Sequence, residues 1–270
     1  MKLGSIDVEP NTSRRETLVM LVWGKPASGK TVLASTAPGK LLWLLFDPAG
    51  TASLKRDSNV VVADFSAYKA AQLENLKQGG MIERDLLKAL TGDDGISTVV
   101  VDSVTSFGQL ALHYAVVSGK ANKGTFRATL EAPGMTGYGV RTAMTLDFCQ
   151  MVLRACLDAK KHCIFICHEQ EKSDEDGKVN EITIALSGQT ASVLPAKISE
   201  IWYLEDTGKQ RNIYVRNHGL RRPMRTRMFN TNTTHFRWSY EQEKGTGGTI
   251  ATWYEQWAAK GYDKVPVPAE

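Results

Sequence analysis

The sequence predicts an α/β fold with a mostly parallel central sheet and a β-rich C-terminal part. Continuous apolar runs alternate with helical patterns through the first two thirds of the 270 residues, which is typical of parallel strands covered by helices on both faces. Shorter apolar runs separated by turns follow, and these indicate further strands. Because no linker or internal repeat divides the chain, we expect a flexible arm over residues 1–16, one domain over 17–262 and a tail over 263–270.

Apolar runs predict the strands of the central sheet in chain order. The first four are expected at 18–23, 41–46, 60–65 and 98–101, and the last of these is followed by Asp102 and Ser103. A further central strand at 163–167 is followed by His168 and Glu169. The earliest runs are continuously apolar, which is typical of strands buried on both faces. Later strands are expected at 181–186, 198–204, 211–216 and 225–229.

Helical patterns lie between these strands. Helices are expected at 30–37, at 67–90 with an interruption at Gly79-Gly80, at 140–159 and at 249–259. In the third of these, apolar residues recur at steps of three and four, which is the pattern of a helix with one buried face. Residues from about 119 to 139 are rich in Gly, Lys, Thr and Pro without a clear period, so they predict a long loop.

A phosphate-binding motif stands between the first strand and the first helix. The string GKPASGKT, from Gly24 to Thr31, matches G-x-x-x-x-G-K-[ST] in full, and its strand-to-helix position is the context that this motif requires. A chance glycine-rich turn is the alternative, and the flanking elements argue against it. The motif predicts binding of ATP with Mg²⁺, with Lys30 on the β- and γ-phosphates and Thr31 on the metal. The candidate nucleotide-binding residues are Gly24, Lys25, Pro26, Ala27, Ser28, Gly29, Lys30, Thr31 and Val32.

A second oxygen ligand for the metal is expected at the end of a neighbouring strand. Four residues of the run TVVVD precede Asp102, which stands 72 positions after Lys30. This separation leaves room for the intervening strand and helix units. A strand-end Asp that only caps a turn is the alternative, but with the P-loop present we assign Asp102 and Thr31 to the metal.

Three strings together resemble the core of the RecA superfamily of ATPases: GKPASGKT, TVVVDSVTSF and CIFICHEQ. Within this superfamily the sequence looks most like small phage-type RecA-like ATPases associated with single-strand annealing recombination. The resemblance covers residues 17–230. It implies a DNA-acting ATPase that forms a ring or filament, with ATP between subunits.

The resemblance also implies roles for particular residues. His168 occupies the place of a polar sensor that reads the γ-phosphate and passes its state to a DNA-binding loop. Residues 169–189 would then form that mobile loop, and residues 119–141 would form a second DNA-facing loop. A histidine that only satisfies the end of a strand is the alternative.

One position departs from the family pattern. Members of the superfamily usually carry a catalytic Glu shortly after the second strand, and here Ala49 stands where that acid is expected. Asp47 is one candidate to polarise the attacking water, and Glu169 from the adjacent strand end is another. If neither acts, the protein would mainly bind ATP.

Between Asp206 and Glu241 the sequence has no acidic residue and eight basic ones. A solvated surface is one interpretation of such a run. Arginine fingers that reach the γ-phosphate of a neighbouring subunit are another, with Arg216 and Arg225 as the main candidates and Arg227 as a third. Arg221 and Arg222 lie in a turn and suit contact with DNA phosphates.

The loop at 119–141 carries further positive charge, and Tyr138 could stack on a base there. Simple packing of this tyrosine is the alternative. The candidate DNA-binding residues in this loop are Lys120, Lys123, Arg127 and Arg141.

Composition narrows the class of protein. The net charge of +4 is too small to indicate nucleic-acid binding by itself, and the four cysteines lack the spacing of a zinc site. No apolar stretch is long enough to span a bilayer, and the first residues lack the apolar core of a signal peptide. We therefore expect a protein of the cytoplasm, or of the host cytoplasm if a phage encodes it.

Overall, the sequence favours an ATP-binding, ATP-hydrolysing protein that acts on single-stranded DNA in recombination, annealing or repair. A non-hydrolysing assembly switch or adaptor is one alternative, and a DNA motor such as a helicase or packaging ATPase is another. A small-molecule kinase fits less well, because the sequence shows no arginine-bearing lid after the helices.

Overall fold

A nine-stranded mixed sheet forms the centre of the protein. The computed structural model describes residues 2–3, 6–7, 16–47, 50–54, 59–76, 79–230 and 233–268. The strands are β1 (Lys2–Leu3), β2 (Ile6–Asp7), β3 (Val19–Gly24), β4 (Lys40–Leu45), β5 (Val60–Asp64), β6 (Ile96–Asp102), β7 (His162–Ser173), β8 (Val179–Ile184), β9 (Glu200–Asp206), β10 (Arg211–Tyr214), β11 (Phe229–Asn230), β12 (His235–Trp238), β13 (Tyr240–Glu241), β14 (Thr246–Gly247) and β15 (Val265–Pro266).

Helices cover both faces of this sheet. They are α1 (Lys30–Ala34), α2 (Met81–Thr91), α3 (Val104–Val117), α4 (Gly134–Asp158), α5 (Thr190–Ala196) and α6 (Ile250–Ala259), with short 3₁₀ helices at Gly50–Ser53 and Ala70–Leu76. One hydrophobic core lies between the sheet and α2, α3, α4 and α5. A second core lies on the other face, beneath α1 and α6. Strands β3 and β6 are buried almost throughout because both of their faces meet a core.

The strand order is β12-β10-β9-β3-β7-β6-β4-β5, with β8 paired to β7. The six strands from β9 to β5 are parallel, whereas β8, β10 and β12 join antiparallel. The expected fold class is therefore confirmed, with a mostly parallel sheet and additional C-terminal strands. Strand β3 lies between β7 and β9. Because these neighbours are parallel, residues near their carboxyl ends meet at one edge of the sheet.

The structure differs from the sequence prediction in its helices. Helix α3 was not predicted; the side chain of Ser103 caps it by accepting a hydrogen bond from the backbone N–H of Ser106, at 3.1 Å. Helix α4 begins at Gly134 rather than at residue 140, so the predicted loop is shorter. The predicted helix at 67–90 is divided at Gly79-Gly80, as expected, into a 3₁₀ helix and α2.

Two other segments also differ from the prediction. Much of the expected mobile loop at 169–189 is an antiparallel hairpin, because β7 continues to Ser173 and pairs with β8. The expected strand at 225–229 is reduced to one bridge between Arg225 and Ile201, followed by the short strand β11. The predicted arm at 1–16 lies mostly outside the described residues. In the predicted tail, β15 pairs with β11.

No helix in the described ranges combines the length and the apolar composition needed to cross a bilayer.

Candidate nucleotide-binding site

The P-loop connects the carboxyl end of β3 to α1. Its backbone has positive φ angles at Gly24, Ala27 and Gly29, of 151°, 62° and 97°. A Cβ atom at Gly24 would lie 2.3 Å from the carbonyl oxygen of Leu204 in β9. Glycine is therefore required at the start of the loop both by conformation and by the close approach of the neighbouring strand.

Lys30 is held inside the loop that precedes it. Its Nζ donates hydrogen bonds to the carbonyl oxygens of Gly24 at 3.0 Å and of Lys25 at 2.6 Å. Burial lowers the pKa of Lys30 to about 8, although nearby acids, with Asp102 the strongest, oppose this shift. The ammonium group is thus desolvated and confined at the position from which a P-loop lysine contacts phosphates.

Thr31 and Asp102, which the sequence predicts as metal ligands, lie side by side. The Thr31 hydroxyl donates to Asp102 Oδ2 at 3.1 Å. Asp102 is the last residue of β6 and pairs in register with Leu45 of β4 and Ile166 of β7. Burial raises its pKa to about 6, while the hydrogen bond from Thr31 acts in the opposite direction.

These residues fit a magnesium nucleotide. Hydroxyl and carboxylate oxygens are ligands that Mg²⁺ prefers, and the pair of Thr31 and Asp102 supplies both. The hydroxyl of Ser28 is buried, and among the described residues it has no hydrogen-bond partner. An unsatisfied polar atom in the middle of a P-loop is accounted for by a ligand that supplies the missing partner.

His168 and Asp47 lie on the same edge of the sheet. His168 pairs in register with Gly24, and its backbone N–H donates to the hydroxyl of Thr105 at 3.0 Å. Its Nε2 lies 3.9 Å from Asp47 Oδ2. Burial, followed by the positive charge of Lys30, lowers the pKa of His168, so its imidazole is neutral near pH 7.

Glu169 is fixed by a tyrosine that sequence reasoning missed. The Tyr203 hydroxyl donates to Glu169 Oε2 at 2.9 Å, and Nζ of Lys25 lies 3.9 Å from the other carboxylate oxygen. Only 7% of the Glu169 side chain is exposed. Tyr203 belongs to an apolar run that reads only as a strand, and its partner is 34 positions away, so no local signal indicated this contact.

The comparisons with known proteins agree with this geometry. A family model described as "AAA domain" matches residues 16–236, which is most of the chain. The chain belongs to the AAA domain family. This AAA domain is a nucleotide-binding ATPase; the likeness to the RecA superfamily, and within it to phage-type proteins, stays a prediction. No curated protein matches the sequence.

The AAA domain can also be compared with solved structures. One of them, described as the crystal structure of the RadB recombinase, has 16% sequence identity and a TM-score of 0.44, over 84% of this chain and 89% of that chain. A likeness at this level carries no argument about function, so functional inference rests on the site itself.

The two main candidate arginine fingers lie away from the P-loop of their own AAA domain. The backbone of Arg225 forms a β-bridge with Ile201 of β9. Ile201 lies three positions before Leu204, the β9 residue that pairs with Gly24. The Nη2 of Arg225 donates to the carbonyl oxygen of Pro195. Arg216 is exposed, just beyond β10. The arginine that does border the loop is Arg211, whose Cδ would lie 3.4 Å from a Cβ atom at Gly29. Sequence reasoning had counted Arg211 only as a member of the basic run.

The candidate DNA-binding residues of the loop fall into different surroundings. Lys123 and Arg127 are exposed in the connection between α3 and α4. Lys120 is paired with Glu74 at 2.7 Å. Arg141 is half-buried in α4 beside Gly108, and burial lowers its pKa.

The two candidates in the late basic segment also differ. Arg221 Nη2 forms an ion pair with Glu205 at 2.6 Å, and its guanidinium lies over the rings of Tyr203 and Tyr214. Arg222 is exposed, with Nε 3.9 Å from Glu181. The structure therefore engages Arg221 within the protein and leaves Arg222 more accessible.

Proposed function

We propose that this AAA domain hydrolyses ATP and couples hydrolysis to the binding of single-stranded DNA, as a ring or filament that acts in recombination, annealing or repair. The observation that supports hydrolysis best is the convergence of three carboxylates, from Asp47, Asp102 and Glu169, on the buried Lys30. Asp47 follows β4, Asp102 ends β6 and Glu169 lies within β7, so this convergence is a property of the parallel sheet. Mg²⁺, when bound, would neutralise phosphate charge, and Thr31 and Asp102 are the residues that would hold it.

Of the two candidate acids for water activation, Asp47 is favoured. Its side chain is 32% exposed and lies beside the neutral His168, so it can contact a water molecule at the open edge of the sheet. Glu169 is nearly inaccessible and already accepts a hydrogen bond from Tyr203. We therefore assign Asp47 as general base, His168 as γ-phosphate sensor and Glu169 as the residue that positions Lys25. Ala49, where the family acid was expected, lies outside the described residues.

The connection between α3 and α4 supports contact with DNA. It joins basic side chains to Phe126 and Leu130, which are 42% and 51% exposed, and the first turns of α4 add Met135 at 90% and Tyr138 at 47%. Basic groups attract the phosphates of a single strand, and aromatic rings stack on its bases. Helix α3 begins directly after Asp102 and Ser103, and it therefore links the α3–α4 connection to β6.

The first test is ATP hydrolysis by the purified protein with Mg²⁺, with and without single-stranded DNA, at two salt concentrations. We expect DNA to stimulate turnover and high salt to remove the stimulation. Asp47→Asn should retain ATP binding and lower kcat about a hundredfold or more, while Glu169→Gln should have a smaller effect. Turnover that ignores DNA, or an Asp47→Asn protein with full activity, would contradict the proposal.

A second test isolates the α3–α4 connection. Replacing Lys123 and Arg127 together by Gln should weaken DNA binding at low salt and reduce the salt slope by about two, since each phosphate contact contributes roughly one. Lys120→Gln is the matched control, because its ammonium is already paired with Glu74 and its loss should change the slope little. An equal change of the salt slope in the double variant and in Lys120→Gln would show that Lys123 and Arg127 do not contact DNA specifically.

A further inference from the structure

A row of aromatic side chains crosses four strands, from the P-loop strand to the edge of the sheet. Trp23 of β3 pairs in register with Tyr203 of β9, Tyr203 with Tyr214 of β10, and Tyr214 with His235 of β12. The successive ring centroids are 4.6, 5.7 and 4.8 Å apart. The first three rings are buried, whereas His235 is exposed.

The exposed end of this row is built from imidazoles. The ring of His235 is stacked on Tyr214 with an angle of 24° between the planes. The ring of His218, which is also exposed, lies 5.3 Å from the same tyrosine and 6.1 Å from His235. Two flat rings therefore face solvent, supported from beneath by a buried tyrosine.

Two exposed arginines lie two residues beyond members of this row along their strands. Arg237 lies two residues after His235 in β12, on the same face, because side chains alternate along a strand; both are exposed while Phe236 and Trp238 are buried. Arg216 follows β10 by two residues and is exposed. Four other arginines of the basic run have a carboxylate oxygen within 4.0 Å. In the described part of the chain, Arg216 and Arg237 have none.

We propose that His218, His235, Arg216 and Arg237, here called the edge patch, form a second binding site for single-stranded nucleic acid, in which a base stacks on an imidazole and the arginines contact phosphates. The charge of the patch argues for this occupant, because Glu205, which accepts a hydrogen bond from the Tyr214 hydroxyl beneath the rings, already forms an ion pair with Arg221. Flat rings next to unpaired cations are the combination that binds single strands with little dependence on sequence. This inference rests on the proposed function and adds a contact remote in sequence from the α3–α4 connection.

The row of rings beneath the patch leads to the P-loop strand. Three strand spacings separate β12 from β3, which is roughly 14 Å, and the innermost ring of the row belongs to the residue that directly precedes Gly24. Tyr203, the second ring of the row, is the residue whose hydroxyl holds Glu169. A nucleic-acid strand stacked on His235 is therefore connected to the P-loop strand by this packed row of side chains.

The test compares two oligonucleotides of equal length, one of thymidines and one with abasic sites, by fluorescence anisotropy. His235→Ala should weaken binding of the thymidine strand about tenfold, in line with the loss of one stacked base, and leave the abasic strand and ATP affinity unchanged. His235→Phe should restore binding, because it retains a stacking ring. Arg237→Gln should weaken both strands alike and lower the salt slope by about one. His113→Ala, an exposed histidine on α3, is the matched control and should bind both strands as the unaltered protein does.

Each outcome decides between the proposals. If the unaltered protein binds neither strand, the proposed function fails and the inference fails with it. If it binds DNA and His235→Ala binds the thymidine strand equally well, or loses both strands alike, the stacking site is wrong while the proposed function stands. Should His235→Ala lower the unfolding temperature, His218→Ala repeats the comparison at an exposed position outside the strands.

Discussion

At the scale of single residues, the site contains charges that burial disfavours. Lys30 and Asp102 are both more than nine-tenths inaccessible, and burial shifts the pKa of each toward its neutral form. A group kept in this state gains more from a ligand of opposite charge than it would in water. The two buried charges therefore lower the stability of the nucleotide-free protein and strengthen the binding of a ligand, which is common at functional sites.

Replacement of Lys30 by Met tests this trade-off. We expect ATP binding to be lost and the free energy of unfolding of the nucleotide-free protein to rise by about 1–3 kcal/mol, because a pKa lowered from 10.5 to about 8 is an unfavourable burial of charge. Lys30 loses its proton at a lower pH in the folded state than in the unfolded state. Its destabilising effect therefore disappears as the pH rises from about 8 to 10.5, and the free energy of unfolding rises over that range.

The measurement is urea unfolding at several pH values, with Lys197→Met, at an exposed position, as control. The difference between the unaltered protein and Lys30→Met should shrink as pH rises above 8. An unchanged difference, or undiminished ATP hydrolysis by Lys30→Met, would contradict the assignment.

The pKa of Asp102 predicts how binding depends on pH. Because the carboxylate must be ionised to hold Mg²⁺, the affinity advantage of the unaltered protein over Asp102→Asn should fall about tenfold per pH unit below about 6. Titration of ATP itself cancels in this ratio. In the nucleotide-free protein the sign is opposite: the stabilising contribution of protonated Asp102 is lost as pH rises from about 4 through 6. A ratio that stays constant between pH 7.5 and 5 would show that Asp102 does not hold the metal.

At the scale of elements, the parallel sheet brings the site together. The neighbouring parallel strands β3, β7, β6 and β4 place the P-loop, His168, Asp102 and Asp47 at one edge of the sheet. The approach of β9 to the P-loop is close enough to exclude any side chain at Gly24. The precision of the site thus depends on strand packing as well as on the motif.

Gly24→Ala should destabilise the fold by more than the usual cost of a positive φ, since the added Cβ would lie 2.3 Å from a backbone oxygen. We expect a loss above about 2 kcal/mol together with weaker ATP binding. Gly208→Ala is the matched control, because Gly208 also has a positive φ but has open space around its Cβ position; it should cost about 1 kcal/mol. Thermal and urea unfolding measure both, and equal losses would mean that β9 does not constrain the loop.

At the scale of the whole molecule, the candidate fingers bear on assembly. Arg225 is exposed and lies toward the end of β9 opposite to the P-loop, so we expect it to serve the nucleotide of another subunit. Arg216 occupies a similar position beyond β10. Both placements are compatible with ATP at subunit interfaces, which remains a prediction.

Arg225→Ala should therefore leave ATP affinity unchanged and lower turnover only at protein concentrations at which subunits associate. Hydrolysis measured against protein concentration, together with light scattering with and without ATP, tests this. Lys260→Ala, on an exposed helix end, is the control. Loss of ATP binding by the single subunit would indicate that Arg225 acts on its own nucleotide or on folding, since its guanidinium also contacts Pro195.

The sequence by itself determined the fold class and the phosphate-binding motif, and it predicted the pair of Thr31 and Asp102 and the candidate acids. These features depend on residues that are close in the chain or that end a strand, and a parallel sheet brings strand ends together whatever its details. Helix α3 was also within reach, because Ser103 is a capping residue ahead of an apolar helical pattern.

Only the tertiary structure decided which of these residues are accessible. It leaves Asp47 partly exposed and occupies Glu169 with the hydrogen bond from Tyr203. It pairs Arg221 with Glu205. It also aligns four rings across four strands, those of Trp23, Tyr203, Tyr214 and His235. The partners in these contacts are up to about 180 positions apart, and their pairing depends on strand order and register. Neither leaves a local pattern in the sequence, because register is set by how whole strands pack against the two cores.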